Sequence, residues 1–347
     1  VDTFYKLTFF VLMLGGLIIS HELGHYIAAT LLGIRVREFG LGLPPRLLKL
    51  GEWRGTLFSL NAVPLGGFVR PEGEFDPAVP NGLAAAAPWK RIVVFAAGPL
   101  VNVVVGFMVL IVGFMVGWPD RVRVIDVMPD SPAAQAGLRF EDVLVKVNEV
   151  EIHDPRDWSD AAYANLGQAM RVEVERGGAP LVFTLTPDTT WSPTQRPTGL
   201  SVVREMVQYP FFTAVQRAVE RVMLQLRETV ALPVRAITQQ LKPNEARLTG
   251  LLGLKQVSDR IVENAVQGQI LYPVLNLIAL ISVALGFTNL LPIAALDGGR
   301  IAFAVLEIVR GKPFNARYEK MIHAAGMVAI LSLMVVLIVQ DYLHPIF

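Results

Sequence analysis

Leu7-Thr8-Phe9-Phe10-Val11-Leu12-Met13-Leu14-Gly15-Gly16-Leu17-Ile18-Ile19-Ser20-His21-Glu22-Leu23-Gly24-His25 opens an apolar run that continues to about Ile34. Two histidines four residues apart share one face of a helix, where both imidazoles can reach one zinc ion. The glutamate between them is placed to act as general base on a water at that metal. Counted from Leu7, the first histidine lies roughly 21 Å along a helix, well inside a hydrocarbon core about 30 Å thick. Ionisable side chains at that depth are costly and are functional candidates by default. The bland alternative is a chance match, but three uncompensated polar groups in five positions would hinder insertion of a spanning helix.

Composition agrees with a membrane protein. The 347 residues are 53% hydrophobic and only 18% charged, with a mean hydropathy of +0.47; soluble domains carry more charge. A net charge of +1 gives no sign of nucleic-acid binding. The absence of cysteine excludes a disulfide framework, a thiolate nucleophile and a cysteine metal site. Histidine occurs only at His21, His25, His153, His323 and His344, so a third metal ligand is expected to be an oxygen.

Four stretches are long enough to span: Phe4–Leu32, Ile92–Trp118, Ile270–Leu296 (resuming at Ile301–Val309 beyond Asp297) and Met321–Gln340. A cleaved signal peptide is not expected in the first, whose apolar run is long and lacks a small-residue cleavage signal. Arg35, Arg37, Arg46, Lys49, Arg54, Arg70, Lys90 and Arg91 crowd one loop, and Arg310, Lys312, Arg317 and Lys320 another. Basic loops stay in the cytoplasm, which puts both termini and the long segment 119–269 outside.

Within that segment, alternation at Val122–Val127, a turn and short helix ending at Gly137, a strand from Asp142 to Asn148, a helix over Asp157–Leu166 and a hairpin around Gly177-Gly178 are expected. This order, with Ser131-Pro132-Ala133-Ala134 leading to Ala136-Gly137-Leu138, resembles a bacterial PDZ domain. Phe140-Glu141 and Asn148-Glu149 stand where such domains usually have Pro-Gly and Asn-Gly. The fold expected is an α-helical polytopic membrane protein with four transmembrane helices, a membrane-associated β-hairpin at about residues 55–70 and an inserted extracytoplasmic PDZ-like α+β domain. The expected divisions are 1–120 and 270–347 for the membrane core, 121–205 for the PDZ-like domain, and 206–269 for an amphipathic linker helix (211–241) and an interfacial segment around Leu248–Leu254.

The third ligand is expected to be Asp297, in Asn289-Leu290-Leu291-Pro292-Ile293-Ala294-Ala295-Leu296-Asp297-Gly298-Gly299. Pro292 and the glycine pair should break the span, and broken helices at membrane depth line enclosed cavities. Asp297 as a helix N-cap is the alternative, compatible with ligation. A helical substrate hides its carbonyls, so the Pro64–Val69 segment, with Gly66, Gly67 and Phe68, is read as a hairpin whose edge pairs with unwound substrate. That pairing is expected to respond to proline substitutions at residues 58–63.

His-Glu-Leu-Gly-His25, Pro64-Leu-Gly-Gly-Phe-Val69, Ala97-Gly98-Pro99-Leu100-Val101-Asn102 and the Asn289–Gly299 stretch occur in the order that resembles the site-2 protease family of intramembrane zinc metalloproteases. One inserted PDZ-like domain is similar to the bacterial regulator-of-sigma-E protease branch; Gly250-Leu251 departs from the family's usual Gly-Pro. The resemblance implies that His21, His25 and Asp297 bind Zn2+ and that Glu22 moves the proton. Asn102 and Asn289 are expected either to bind substrate backbone or oxyanion, or to hydrogen-bond between helices. The implied substrates are single-span membrane proteins, such as anti-sigma factors or signal-peptide remnants, in a bacterial cytoplasmic (inner) membrane. The PDZ-like domain would take a peptide or substrate C-terminus, or filter substrates by size. A non-catalytic membrane PDZ scaffold or substrate-holding protein is the rival reading.

Overall fold

The computed structural model describes residues 2–190, 196–238 and 249–346. In chain order the elements are α1 (Thr3–Leu31), β1 (Val36–Trp53), β2 (Thr56–Pro71), α2 (Pro88–Val116), β3 (Trp118–Val127), α3 (Pro132–Ala136), β4 (Val143–Val147), β5 (Val150–Glu151), α4 (Pro155–Ala164), β6 (Met170–Arg176), β7 (Ala179–Leu185), β8 (Leu200–Val207), α5 (Phe211–Ile237), α6 (Leu251–Gly268), α7 (Tyr272–Asn289), α8 (Asp297–Arg310) and α9 (Ala316–Leu343). They form two compact units, one of Val1–Val112 with Val215–Phe347 and one of Gly113–Ala214.

In the first unit, α1, α2, α7 and α9 are, among the described residues, the four helices long and apolar enough to cross a membrane. Glycines let α2 approach two neighbours closely. A Cβ at Gly24 would stand 2.6 Å from the Ala97 carbonyl, and one at Gly286 would stand 2.7 Å from the Pro99 carbonyl. Small residues at such crossings replace the hydrophobic drive that lipid cannot supply between helices. Phe10, Met13, Leu14 and Leu17 of α1 pack with Leu277 and Ile281 of α7. Lys6 Nζ meets Glu263 Oε2 of α6 at 2.8 Å, and the Gly253 N–H donates to Asp341 Oδ2 of α9 at 2.7 Å. The part of the expected interfacial segment from 251 onward is therefore a packed helix; Leu248 and residues 239–247 lie outside the described residues.

β1 and β2 are joined by a tight turn at Arg54-Gly55, both at positive φ. Their ladder folds back on itself: Leu57 faces both Glu52 and Glu38, and Phe58 faces both Gly51 and Phe39. The 57–60 stretch is thus interior, whereas Gly67–Pro71 pairs on one side only, with Val36–Leu41. Residues 57–60 are interior because β1 doubles over and covers both sides of them, so proline at 58–60 would break interior pairing, and the singly paired stretch Gly67–Pro71 starts inside the Pro64–Val69 segment. Tyr26, Phe39 and Phe58 meet edge-on or tilted at 5.6–5.8 Å and join the hairpin to α1.

The third span breaks as Pro292 and the glycine pair suggest. α7 ends at Asn289, residues 290–296 turn, and α8 begins at Asp297. A side chain at Gly298 would overlap the Leu290 and Leu291 carbonyls, and one at Gly299 would overlap the Ile293 carbonyl, so only glycine lets the turn fold onto the start of α8. Leu296 is the N-cap residue and Asp297 the first helical residue, which leaves its carboxylate for another partner.

The second unit is a six-stranded antiparallel sheet in the order β7-β6-β4-β3-β8, with β5 on β4. Val122, Val124, Leu144, Val147, Met170, Val172, Val174, Leu185 and Leu200 form one core with Ala133, Trp158 and Ala162 from the short helices. Ser131 caps α3, which ends at Gly137 with φ 90°, and Asp154 with Asp157 makes a capping box for α4. Glu141 and Asn148 take positive φ, so the turns stay tight without glycine. Strand β8, Leu200–Val207, lies beyond the strands expected above and is separated from α5 by Gln208-Tyr209-Pro210.

Candidate metal centre

Two elements far apart in sequence, α1 with His21 and His25 and α8 with Asp297, bring three ligating atoms together. His21 Nε2 and His25 Nε2 are 3.1 Å apart, and Asp297 Oδ2 lies 3.2 Å from the first and 3.4 Å from the second. A tetrahedral zinc with ligand bonds of about 2.0–2.1 Å separates its ligands by about 3.3–3.4 Å. The triangle therefore fits one face of such an ion, with a fourth position left for water or substrate. The side chains are nearly buried, at 11%, 10% and 17% exposure.

Second contacts hold the ligands in place. The His25 Nδ1–H donates to the Val94 carbonyl at 2.8 Å, which leaves the Nε2 lone pair for the metal. Pro99, inside the same helix, has no N–H to offer the neighbouring Phe95 carbonyl, so the α2 ladder is interrupted next to Val94. Gly98 is the point of closest approach, since a Cβ there would land on the His25 ring. Asp297 is held through its helix and the turn before it. Arg91 of α2 pairs with Glu307 of α8, and Arg300 Nη1 of α8 pairs with Glu74 Oε1 at 2.6 Å. The Ala295 N–H, at φ 77°, donates to His323 Nδ1 of α9 at 3.1 Å. His323 and the Val94 carbonyl are not among the site residues expected from sequence. An ionisable residue in the fourth span was the available signal for the first; nothing local marks a backbone carbonyl.

A cavity of about 420 Å³ opens on these residues. Its lining includes Glu22, Gly66, Gly67, Phe68, Asn102 and Asn289, so all the expected site residues border one space. A Cβ at Gly67 would stand 3.1 Å from Glu22 Cγ, and the Val69 backbone amide faces the Glu22 carboxylate. The singly paired edge of β2 thus runs beside the general-base candidate. Asn289, at the last turn of α7, is half-buried. Asn102 is buried, with one end of its amide 3.4 Å from His21 Nδ1 and the other 3.2 Å from Ser20 Oγ.

Comparison with known proteins gives the same picture. The sequence model of Peptidase family M50 matches residues 9–333. A relative from Clostridium perfringens, provisionally named a zinc metalloprotease, is 31% identical over 97% of this chain and 98% of its own length. One from Agrobacterium fabrum with the same provisional name is 30% identical, covering 94% and 92%. Zinc metalloprotease RasP of Geobacillus kaustophilus is 25% identical over 98% of each. With four apolar helices of spanning length and a family match over nearly its whole length, this multi-pass membrane protein belongs to Peptidase family M50, the site-2 proteases.

Proposed function

We propose that this chain is an intramembrane zinc metalloprotease that hydrolyses a peptide bond in or near the transmembrane segment of single-span membrane proteins. The observation that carries the reading is the convergence of His21 Nε2, His25 Nε2 and Asp297 Oδ2 beside Glu22 in one cavity. His21, His25 and Asp297 hold Zn2+, which when bound polarises the scissile carbonyl and makes water a stronger acid. Glu22 takes the proton of the attacking water and returns it to the leaving amine. The Gly66-Gly67-Phe68 edge of β2 pairs with the unwound substrate backbone and presents the carbonyl to Glu22. Asn289, at the end of α7, supplies a hydrogen bond to the same strand of substrate.

The division into a membrane core (1–120 and 270–347), a linker (206–269) and a PDZ-like domain (121–205) belongs to the same proposal. The capped α3, the α4 helix and the antiparallel sheet support the PDZ-like reading. That domain meets substrate termini or limits substrate size. The hairpin dips into the bilayer, and the basic loops lie in the cytoplasm, which leaves both termini and the PDZ-like domain outside a bacterial inner membrane. Purified Glu22→Gln protein in lipid vesicles is expected to bind zinc and to leave a single-span substrate uncut. Cleavage at the wild-type rate overturns the mechanism, and zinc binding without any cleavage by wild-type protein favours the scaffold reading.

A further inference from the structure

Two roles are expected of Asn102, a contact to substrate or a hydrogen bond between helices, and its surroundings favour the second. It is 1% exposed; the end assigned as Nδ2 lies 3.4 Å from His21 Nδ1 and the end assigned as Oδ1 lies 3.2 Å from Ser20 Oγ, and two ends so alike in shape are told apart only by the hydrogen bonds they make. Two independent proton counts settle which end faces which. A His21 that offers the Nε2 lone pair to a metal carries its one proton on Nδ1, so the group opposite Nδ1 must accept. Ser20 has one hydroxyl proton, and its Oγ lies 2.8 Å from the Leu17 carbonyl, which can only accept. Ser20 is therefore an acceptor toward Asn102. Both counts require the same orientation, with Asn102 Oδ1 toward His21 and Nδ2 toward Ser20. Each end of the side-chain amide then has one partner, the reverse of the assigned orientation.

We infer that Asn102 is a positioning residue for the metal: its carbonyl oxygen accepts the His21 Nδ1–H and fixes the tautomer and ring plane of that ligand. The inference rests on the metal-site reading above. The two histidines are held differently, His25 by a backbone carbonyl of α2 and His21 by a side chain of the same helix. Asn102 is itself anchored, because its backbone carbonyl accepts the Ser282 hydroxyl of α7 at 2.7 Å. Gly106 and Gly286 bring α2 and α7 together at this level; a Cβ at Gly106 would stand 3.0 Å from the Ala279 carbonyl. One asparagine thus joins the metal ligand of α1 to the α2–α7 crossing.

The test is zinc competition against a chromogenic chelator with purified full-length protein, together with the visible spectrum of the cobalt(II)-loaded form. Asn102→Leu keeps side-chain volume and removes the acceptor; zinc affinity is expected to fall about 10–100-fold, with altered cobalt bands. Asn102→Asp keeps an acceptor opposite Nδ1 and is expected to restore binding to within about threefold of wild type, an outcome that packing alone does not produce. If Asn102→Leu does not fold, Asn102→Ala takes its place in the comparison. Wild-type zinc affinity and cobalt bands in the acceptor-less variant, or equal losses in it and in Asn102→Asp, overturn the inference. Wild-type protein that takes up no zinc sinks the metal-site reading and this inference with it, whereas failure confined to the variants sinks the inference alone.

Discussion

A single methyl group at Gly98 should abolish metal binding. A Cβ built there would stand 2.6 Å from His25 Cε1 and 2.8 Å from Cδ2, and closer still to Nε2, the atom facing His21 and Asp297. Ordinary contacts begin near 3.4 Å, so the ring would have to retreat by about 0.8 Å to clear Cε1 and by more to clear Nε2. Metal–ligand distances tolerate deviations of only about 0.2 Å. The ring cannot slide away freely either, because its Nδ1–H is tied to the Val94 carbonyl of the same helix. Gly98→Ala is therefore expected to weaken zinc binding by more than about 100-fold, beyond the loss typical of an outer hydrogen-bond partner. Gly15→Ala and Gly16→Ala make the same chemical change in α1 where a Cβ meets nothing within 4 Å. They should leave zinc affinity and cleavage unchanged, and as helix formers they carry no penalty. The assay is chelator competition on detergent-purified proteins matched for monodispersity and thermal unfolding. Folded Gly98→Ala protein with wild-type zinc affinity would refute the close α1–α2 approach on which the site geometry depends.

Two further outcomes test the parts around the site. In the sheet domain, the fully buried Asp142 carboxylate receives Arg176 Nε at 2.6 Å and Nη2 at 2.8 Å, plus the Arg139 N–H at 2.8 Å. Asp142→Ala strands the half-buried guanidinium, and should destabilise Gly113–Ala214 by about 3 kcal/mol, read as an earlier transition in chemical unfolding; an unchanged midpoint would contradict it. In the hairpin, burial raises the pKa of Glu38, but the Ser59 hydroxyl, the Arg46 hydrogen bonds and charge, and the Arg70 charge outweigh it and hold the carboxyl below its ordinary value. A depressed carboxylate stabilises the fold above its unfolded pKa of about 4.3, and that contribution is lost as pH falls through the folded value. The melting temperature should therefore drop less between pH 5 and pH 3 in Glu38→Gln than in the wild type, and equal drops would show that the carboxylate contributes nothing.

Much of this protein was legible in one dimension because membranes impose long, uniform apolar stretches. α1, α2, α7 and α9 follow from length and composition, and His21, Glu22 and His25 announce themselves as polar groups at a depth where lipid tolerates none without purpose. Pro292 with Gly298-Gly299 marked the break that frees Asp297. In the sheet domain, Gly137 marked the end of α3 because capping is local chemistry, while α4 starts at Pro155 on the Asp154 cap, two residues before the expected Asp157. Strand pairing is not local. The doubling of β1 over β2, which makes 57–60 interior and leaves 67–71 as the edge beside Glu22, depends on which segment lies opposite, and alternation along one strand carries no such information.

The sequence by itself determined the spans, the two histidines and glutamate, and the aspartate that completes a donor set. Only the tertiary structure decided how each of these is held: the Val94 carbonyl on His25, the Asn102 amide beside His21, and His323 under the turn that precedes Asp297. The physical reason is that ligand identity is a property of one side chain, whereas ligand orientation comes from partners on other helices. Those partners come within hydrogen-bonding reach only where glycines let the backbones meet.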